Sequence, residues 1–186
     1  MSRIIDSFRP NLRVVGVTDI DLASLREQGF EGLLLDLDNT LLPWKNSDMP
    51  DSSATWVETA KQLGMKPCIV SNTHYPKRLN RIAGELGISA VARALKPRGH
   101  GLRKAAALIG CELGRTVVVG DQLLTDIWGG NRAGAYTILV NPMHPREFIG
   151  TKLSRVVERI IFALLGVQAR QGTKSEAAKS EEKDTK

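Results

Sequence analysis

Two rhythms of apolar residues alternate between Asp19 and Val140. Short, nearly continuous apolar runs read as buried strands at Gly32 to Leu37, Pro67 to Val70, Ala90 to Ala92, Thr116 to Val119 and Tyr136 to Val140. Longer runs with helical spacing separate them, and each carries start or stop signals. Asp19 is expected to cap a short helix, Asp21 to Gln28, with Gly29 just past its end. Ser52 or Ser53 is expected to cap a helix reaching Leu63, stopped by Gly64, and Pro76 to open one reaching Leu86, followed by Gly87. Further helices are predicted from about Arg98 to Ile109 and from Leu123 to Ala133, the latter ended by Gly134. Strands alternating with helices of this length imply βαβ crossovers, so the fold class predicted is α/β: a three-layer α/β/α sandwich around a parallel, Rossmann-like sheet.

One more amphipathic segment runs from Lys152 to about Leu165. Leu153, Val156, Val157, Ile160, Ile161 and Leu164 share a face, with Lys152, Arg155 and Arg159 opposite. It is expected to dock on the domain, with a position on a membrane surface as the alternative. From about Gln171 onward no large apolar residue occurs, so residues 171–186 are expected to be a disordered tail behind a single domain spanning 1–170.

Composition adds little to this and contradicts none of it. A chain of 186 residues, 42% hydrophobic and 25% charged, is an ordinary single-domain globular mix. The two cysteines, Cys68 and Cys111, lie in or beside apolar stretches with no metal-like spacing and are expected to be reduced, buried thiols of a cytoplasmic protein. No apolar signal segment follows Met1, and the longest near-apolar run, Ile160 to Val167, is far below the ~20 residues of a membrane span. Charge is more informative. The net charge is +6, and between His74 and Arg115 nine Lys or Arg face only Glu85 and Glu112. Such a surface suits an anionic partner, whether phosphate, nucleic acid or lipid.

The chemistry-bearing residues fall at strand ends. The apolar run 33–35 leads into Asp36-Leu37-Asp38-Asn39-Thr40, and residues two apart in an extended chain share a face, so Asp36 and Asp38 start out together. Two carboxylates there repel unless a cation or proton intervenes, and magnesium, an oxygen-seeking ion, fits. The next strand ends in Ser71-Asn72-Thr73, whose hydroxyls and amides suit phosphate oxygens. Lys96-Pro97 offers a point charge for phosphate, and Gly120-Asp121 with Asp126 a second acid pair. In open α/β sheets ligands bind outside the carboxyl ends of the strands, where all of these groups are expected.

Taken in order, Asp36-Leu37-Asp38-Asn39-Thr40, Ser71-Asn72-Thr73, Lys96-Pro97 and Gly120-Asp121 with Asp126 resemble the motifs of the haloacid dehalogenase-like (HAD) phosphohydrolase superfamily. With Asp19-Ile20-Asp21-Leu22 ahead and Gly-Asp-Gln-Leu-Leu-Thr-Asp behind, the chain resembles the YqeG-type branch of subfamily IIIA, itself similar to phosphatidylglycerophosphate phosphatases. The resemblance implies a magnesium-dependent phosphatase. In it Asp36 is the nucleophile, Asp38 the acid and base, Ser71 and Lys96 catalytic, and Thr40, Ser71, Asn72 and Lys96 phosphate-binding. Asp36, Asp38 (by its carbonyl), Asp121 and Asp126 form the metal site, with Asp126 supporting metal waters or Lys96. It also implies peripheral contact with the inner face of a membrane, should the substrate be a lipid. Only 32 residues separate Asp38 from Ser71, and 24 separate Ser71 from Lys96. Both stretches are filled by core elements, so a capless core is expected, and capless relatives tend to act on large substrates.

Three other readings remain at this point. The same chemistry can serve a protein, a nucleic-acid end or a soluble metabolite, with loops Pro43 to Asp51 and Asn141 to Gly150 choosing the substrate; Trp44 and Lys45 are candidates for contact, although packing is the default for Trp44. A phosphoryl-accepting receiver domain is disfavoured because Lys96 precedes the second acid pair. Nucleic-acid binding lacks any zinc, stacking or phosphate-loop motif. His74, His100 and His144 are too scattered for a metal site.

Overall fold

The computed structural model describes residues 6–44 and 46–144. Lys45, the helix expected from Lys152, the tail 171–186 and the loop beyond His144 lie outside the described residues.

Six parallel strands form one sheet in the order β1-β6-β5-β2-β3-β4. They are β1 (Leu12–Arg13), β2 (Gly32–Leu35), β3 (Lys66–Val70), β4 (Ser89–Val91), β5 (Thr116–Gly120) and β6 (Tyr136–Leu139). The helices are α1 (Leu22–Glu27), α2 (Asp51–Gln62), α3 (Pro76–Leu86), α4 (His100–Leu108) and α5 (Gly129–Ala133), with a π-helical stretch, Leu123–Trp128, running into α5.

The central strands β2, β3, β5 and β6 are buried on both faces over most of their length, which explains their unbroken apolar runs. Leu33 and Leu35 of β2 point to one face, with Ile69, Val117, Val119 and Ile138, and meet α1, α2 and α3 through Leu22, Leu25, Trp56, Val57, Leu79 and Ile82. Leu34 points to the other, with Cys68, Val70, Val91 and Val118, and meets Leu102, Ala105 and Ala106 of α4. These are the three layers. Each fully buried leucine of β2 contributes roughly 1.5–3 kcal/mol through lost apolar hydration.

Several local expectations are corrected. Asp21, not Asp19, caps α1, accepting from Ser24 N at 3.0 Å; Asp19 instead closes a 3₁₀ turn by accepting from Gly16 N at 2.8 Å. Pro50 occupies the cap position of α2, and Ser53 is buried inside the helix. The predicted helix 123–133 is π-helical in its first half. Strand β1 was not expected: both its residues are exposed, and it is tied to β6 by Val14 N donating to Leu139 O (3.1 Å) and Thr137 N donating to Asn11 Oδ1 (2.8 Å). Cys68 is buried but Cys111 only half so. The helix stops at Gly87 and Gly134 hold as expected, both at left-handed φ values of 63° and 88° that a side chain would strain.

The chain passes from β2 outward to β3 and β4, then returns to the other side of β2 for β5 and β6. The strand order therefore reverses between β2 and β5, and the crevice beyond their carboxyl ends is where an open α/β sheet binds its ligand. Between Asp38 and Ser71 the chain forms a loop, α2 and β3, and between Ser71 and Lys96 it forms α3 and β4. Among the described residues neither stretch carries a cap over that crevice, and no helix is long and apolar enough to cross a membrane.

Candidate active site

Asp36 directly follows β2, and its N–H donates to Val119 O at 2.9 Å, so strand pairing with β5 fixes the first residue of the site. Asp121 directly follows β5, and Asp126 lies in the π-helical stretch. Asp36, Asp121 and Asp126 each place a carboxylate oxygen within 4.8 Å of the others. Gly120 makes this possible. A Cβ there would meet Asp126 Cγ at 2.3 Å, so a side chain at 120 would expel Asp126 from its place.

Lys96 reaches into this cluster from the loop after β4. Its Nζ donates to Asp36 Oδ1 and Asp126 Oδ1, both at 2.6 Å. Lys96 is 6% exposed, Asp36 8% and Asp126 0%. Burial opposes the ammonium, but Asp126 and Asp36 outweigh it, so Lys96 stays charged with its pKa raised. Asp126 also accepts from Gln122 N at 3.1 Å through Oδ2.

One lysine does not balance three carboxylates. Burial, then repulsion from Asp36 and Asp126, pushes Asp121 up to about 8. Burial is also the largest influence on Asp36, pushing it up to about 7 against the pull of Lys96. Asp121 Oδ1 is buried without a hydrogen-bond partner. An all-oxygen donor set with excess negative charge and an unsatisfied buried oxygen fits a hard divalent cation.

The remaining expected residues are arranged around this cluster in different ways. Asp38 turns its carboxylate to Arg78 of α3, which donates through Nη2 to Oδ1 (2.9 Å) and through Nη1 to Oδ2 (3.2 Å). Its side chain is thus outside the metal-type cluster of Asp36, Asp121 and Asp126. Ser71 is buried; its Oγ accepts from Thr73 N at 3.1 Å, leaving its hydrogen to donate elsewhere. Thr40 Oγ1 is buried without a partner. Asn72 is engaged differently from expectation: its Nδ2 donates to Lys96 O at 2.9 Å and its Oδ1 accepts from Lys96 N at 2.8 Å. Both ends of its amide thus hold the lysine's backbone. Arg78 was not anticipated. It sits among Lys77, Arg78 and Arg81 on one helix, and no pattern in the sequence separates the one that faces Asp38.

A carboxylate beside a buried ammonium, a second acid two residues on and a cation-type carboxylate cluster are the equipment of phosphoryl transfer, and comparisons with known proteins agree. The family described as "HAD-hyrolase-like" matches residues 94–142. "Probable phosphatase YqeG" of Bacillus subtilis is 37% identical over 85% of this chain and 91% of its own length. The chloroplastic phosphatidylglycerophosphate phosphatase 1 of Chlamydomonas reinhardtii is 31% identical over 80% of this chain; the chain spans 59% of that relative's length. An uncharacterized protein from Listeria monocytogenes serotype 4b shares the fold, with a TM-score of 0.52 at 19% identity over 73% of this chain and 99% of the other. The chain is a HAD-type phosphatase by family and fold. Within that class, the chain belongs to the YqeG-type branch.

Proposed function

We propose that the protein hydrolyses a phosphomonoester through an aspartyl-phosphate intermediate on Asp36, with magnesium as its ion and phosphatidylglycerophosphate as its substrate. The observation that carries the mechanism is the buried Asp36–Lys96–Asp126 bridge beside the unpartnered Asp121 oxygen. Asp36 attacks phosphorus; the P–O bond to the alcohol breaks as Asp38 gives the leaving oxygen its proton. Asp38 then takes a proton from water, which attacks phosphorus, frees phosphate and restores the Asp36 carboxylate. Lys96 stabilises charge on the phosphoryl oxygens, and the Ser71 and Thr40 hydroxyls donate to them. Asn72 positions Lys96. Magnesium, held by Asp36, Asp121 and the Asp38 carbonyl with Asp126 in support, would neutralise phosphate charge and offset the repulsion among the acids.

The lipid assignment rests on the relative's name together with the uncapped crevice and the basic surface between His74 and Arg115. An open site admits a headgroup presented at a bilayer, and basic residues favour an anionic one. The protein would then work from the cytoplasm as a peripheral visitor to the membrane. Phosphate release from phosphatidylglycerophosphate in mixed micelles, with magnesium and with chelator, beside an aryl phosphate, tests both levels. Turnover of the lipid far above the aryl phosphate supports the full reading. Turnover of the aryl phosphate alone keeps the mechanism and removes the lipid. Asp36→Asn should lose roughly 10³-fold or more of the activity and the acyl-phosphate adduct while staying folded.

A further inference from the structure

Beside Lys96 lies a cavity of about 470 Å³ whose lining includes Arg93, Arg98, Arg132, His74, Leu95 and Trp128. Lys96 is part of its wall and also bridges Asp36 and Asp126, so one side chain borders both the cavity and the carboxylate cluster. The three guanidinium groups come from two separate parts of the chain: Arg93 and Arg98 from the loop flanking Lys96-Pro97, Arg132 from α5. Gly129 brings the two parts together, since a Cβ there would meet Pro97 Cα at 3.0 Å. Trp128 supports the far wall: Phe8 stacks on it at 5.2 Å, and the Arg132 guanidinium lies 4.7 Å from its ring centre.

Among the described residues no carboxylate lines this cavity. Arg93, Arg98 and Arg132 make no ion pair with a carboxylate among the described residues, whereas Arg78, Arg81 and Arg115 all do. Three like charges repel, and gathering them around one hollow raises its potential for anions. Arginine favours planar, bidentate capture of phosphate oxygens. The apolar part of the lining, Trp128 and the 55%-exposed Leu95, suits a carbon skeleton between charged groups.

We propose that this cavity is a second anion subsite, which selects phosphomonoesters carrying another phosphoryl group, a phosphodiester above all, on a short carbon spacer. The proposal rests on the phosphatase reading of the Asp36 site and adds a substrate requirement to it. The monoester phosphate meets Lys96 and the carboxylate cluster, and the second phosphoryl group lies among Arg93, Arg98 and Arg132. A simple aryl phosphate leaves the subsite unused.

Two measurements on the full-length protein test this. The first is independent of turnover: titration with glycerophosphoglycerol, a phosphodiester with no monoester to hydrolyse, beside inorganic phosphate. The diester should bind wild type, and Arg93→Gln/Arg98→Gln/Arg132→Gln should weaken it roughly 10-fold or more while inorganic phosphate is affected less, because it can also be held at Lys96. Equal weakening of both ligands, or no diester binding, overturns the subsite. The second is the ratio of kcat/KM for soluble short-chain phosphatidylglycerophosphate to that for aryl phosphate. The ratio should fall about 10-fold or more in the triple variant, and partial unfolding cancels from it. An unchanged ratio overturns the proposal. A wild type that turns over neither substrate yet binds the diester through these arginines would sink the phosphatase reading and leave the anion subsite standing.

Discussion

Arg78 grips Asp38 with both arms of its guanidinium, at 2.9 and 3.2 Å, and the same side chain donates to Asn46 O from Nε at 3.0 Å. It therefore couples the proposed acid and base to the loop that borders the crevice. Neighbouring Arg81 adds a bond from Nη2 to Ser47 O at 3.1 Å. The pair is about four-fifths buried (20% and 22% of each side chain exposed), so solvent screens it less than a surface pair. Arg78→Ala should lower kcat by about 10-fold and quicken amide exchange at residues 46–50, since a bidentate charged contact contributes on the order of 1.5–3 kcal/mol. Arg78→Lys, which keeps charge without the fork, should fall between. Unchanged kcat together with unchanged exchange would sever Asp38 from this control.

Lys96 bridges two carboxylates that would otherwise be buried together unneutralised. Removing one partner of a buried ion pair typically costs about 3–5 kcal/mol. Lys96→Met, of similar length, should destabilise the protein by that order in urea unfolding, and phosphatase activity should vanish. The double variant Lys96→Met/Asp126→Asn should recover part of the stability and none of the activity. Full stability in the single variant would mean that the acids take up protons in place of the lysine.

Legibility of the site in the sequence depended on where each residue stands. Asp36, Ser71, Lys96 and Asp121 follow strands, and strand ends are easily seen as the close of an apolar run. Their order along the chain then carries the family pattern. Arg78 was hidden because its function depends on the rotation of α3 about its own axis relative to Asp38, which adjacent basic residues do not reveal. Asn72 was visible as a candidate phosphate ligand, whereas its paired bonds to the Lys96 backbone join two loops that no local pattern connects. The subsite arginines are split between two segments that Gly129 brings together, so no local pattern unites them. In the fold, the layers followed from alternation between apolar runs and amphipathic ones. Strand β1 did not, because two exposed residues bury nothing and its pairing rests on backbone and Asn11 contacts.

That use of Asn72 can be measured. Asn72→Ala removes both hydrogen bonds that hold the Lys96 backbone and should reduce kcat about 10-fold on any phosphomonoester. The inhibition constant of inorganic phosphate should move less than about threefold, because the ammonium itself remains. A large loss of phosphate affinity with kcat preserved would instead make Asn72 a direct ligand.

The acid cluster also sets how stability responds to pH when no divalent ion is present. Asp36 and Asp121 ionise near 3.8 when unfolded but at about 7 and about 8 in the fold, because burial disfavours their charge and the neighbouring acids add to it against the pull of Lys96. Between those limits the native state holds more protons than the unfolded one, so these two groups contribute stability below pH about 4 and lose it as pH rises through about 7 to 8. In chelator, Tm should therefore be lower at pH 8.5 than at pH 5.5, by an amount on the order of 10 °C attributable to the pair. Asp121→Asn isolates that contribution and should flatten the decline. Magnesium acts in the opposite sense: it competes with the same protons, so its stabilisation of wild type should grow from pH 5.5 to 8.5 and be strongly reduced in Asp121→Asn. Equal magnesium stabilisation at both pH values, or in both proteins, would place the ion elsewhere than among these carboxylates.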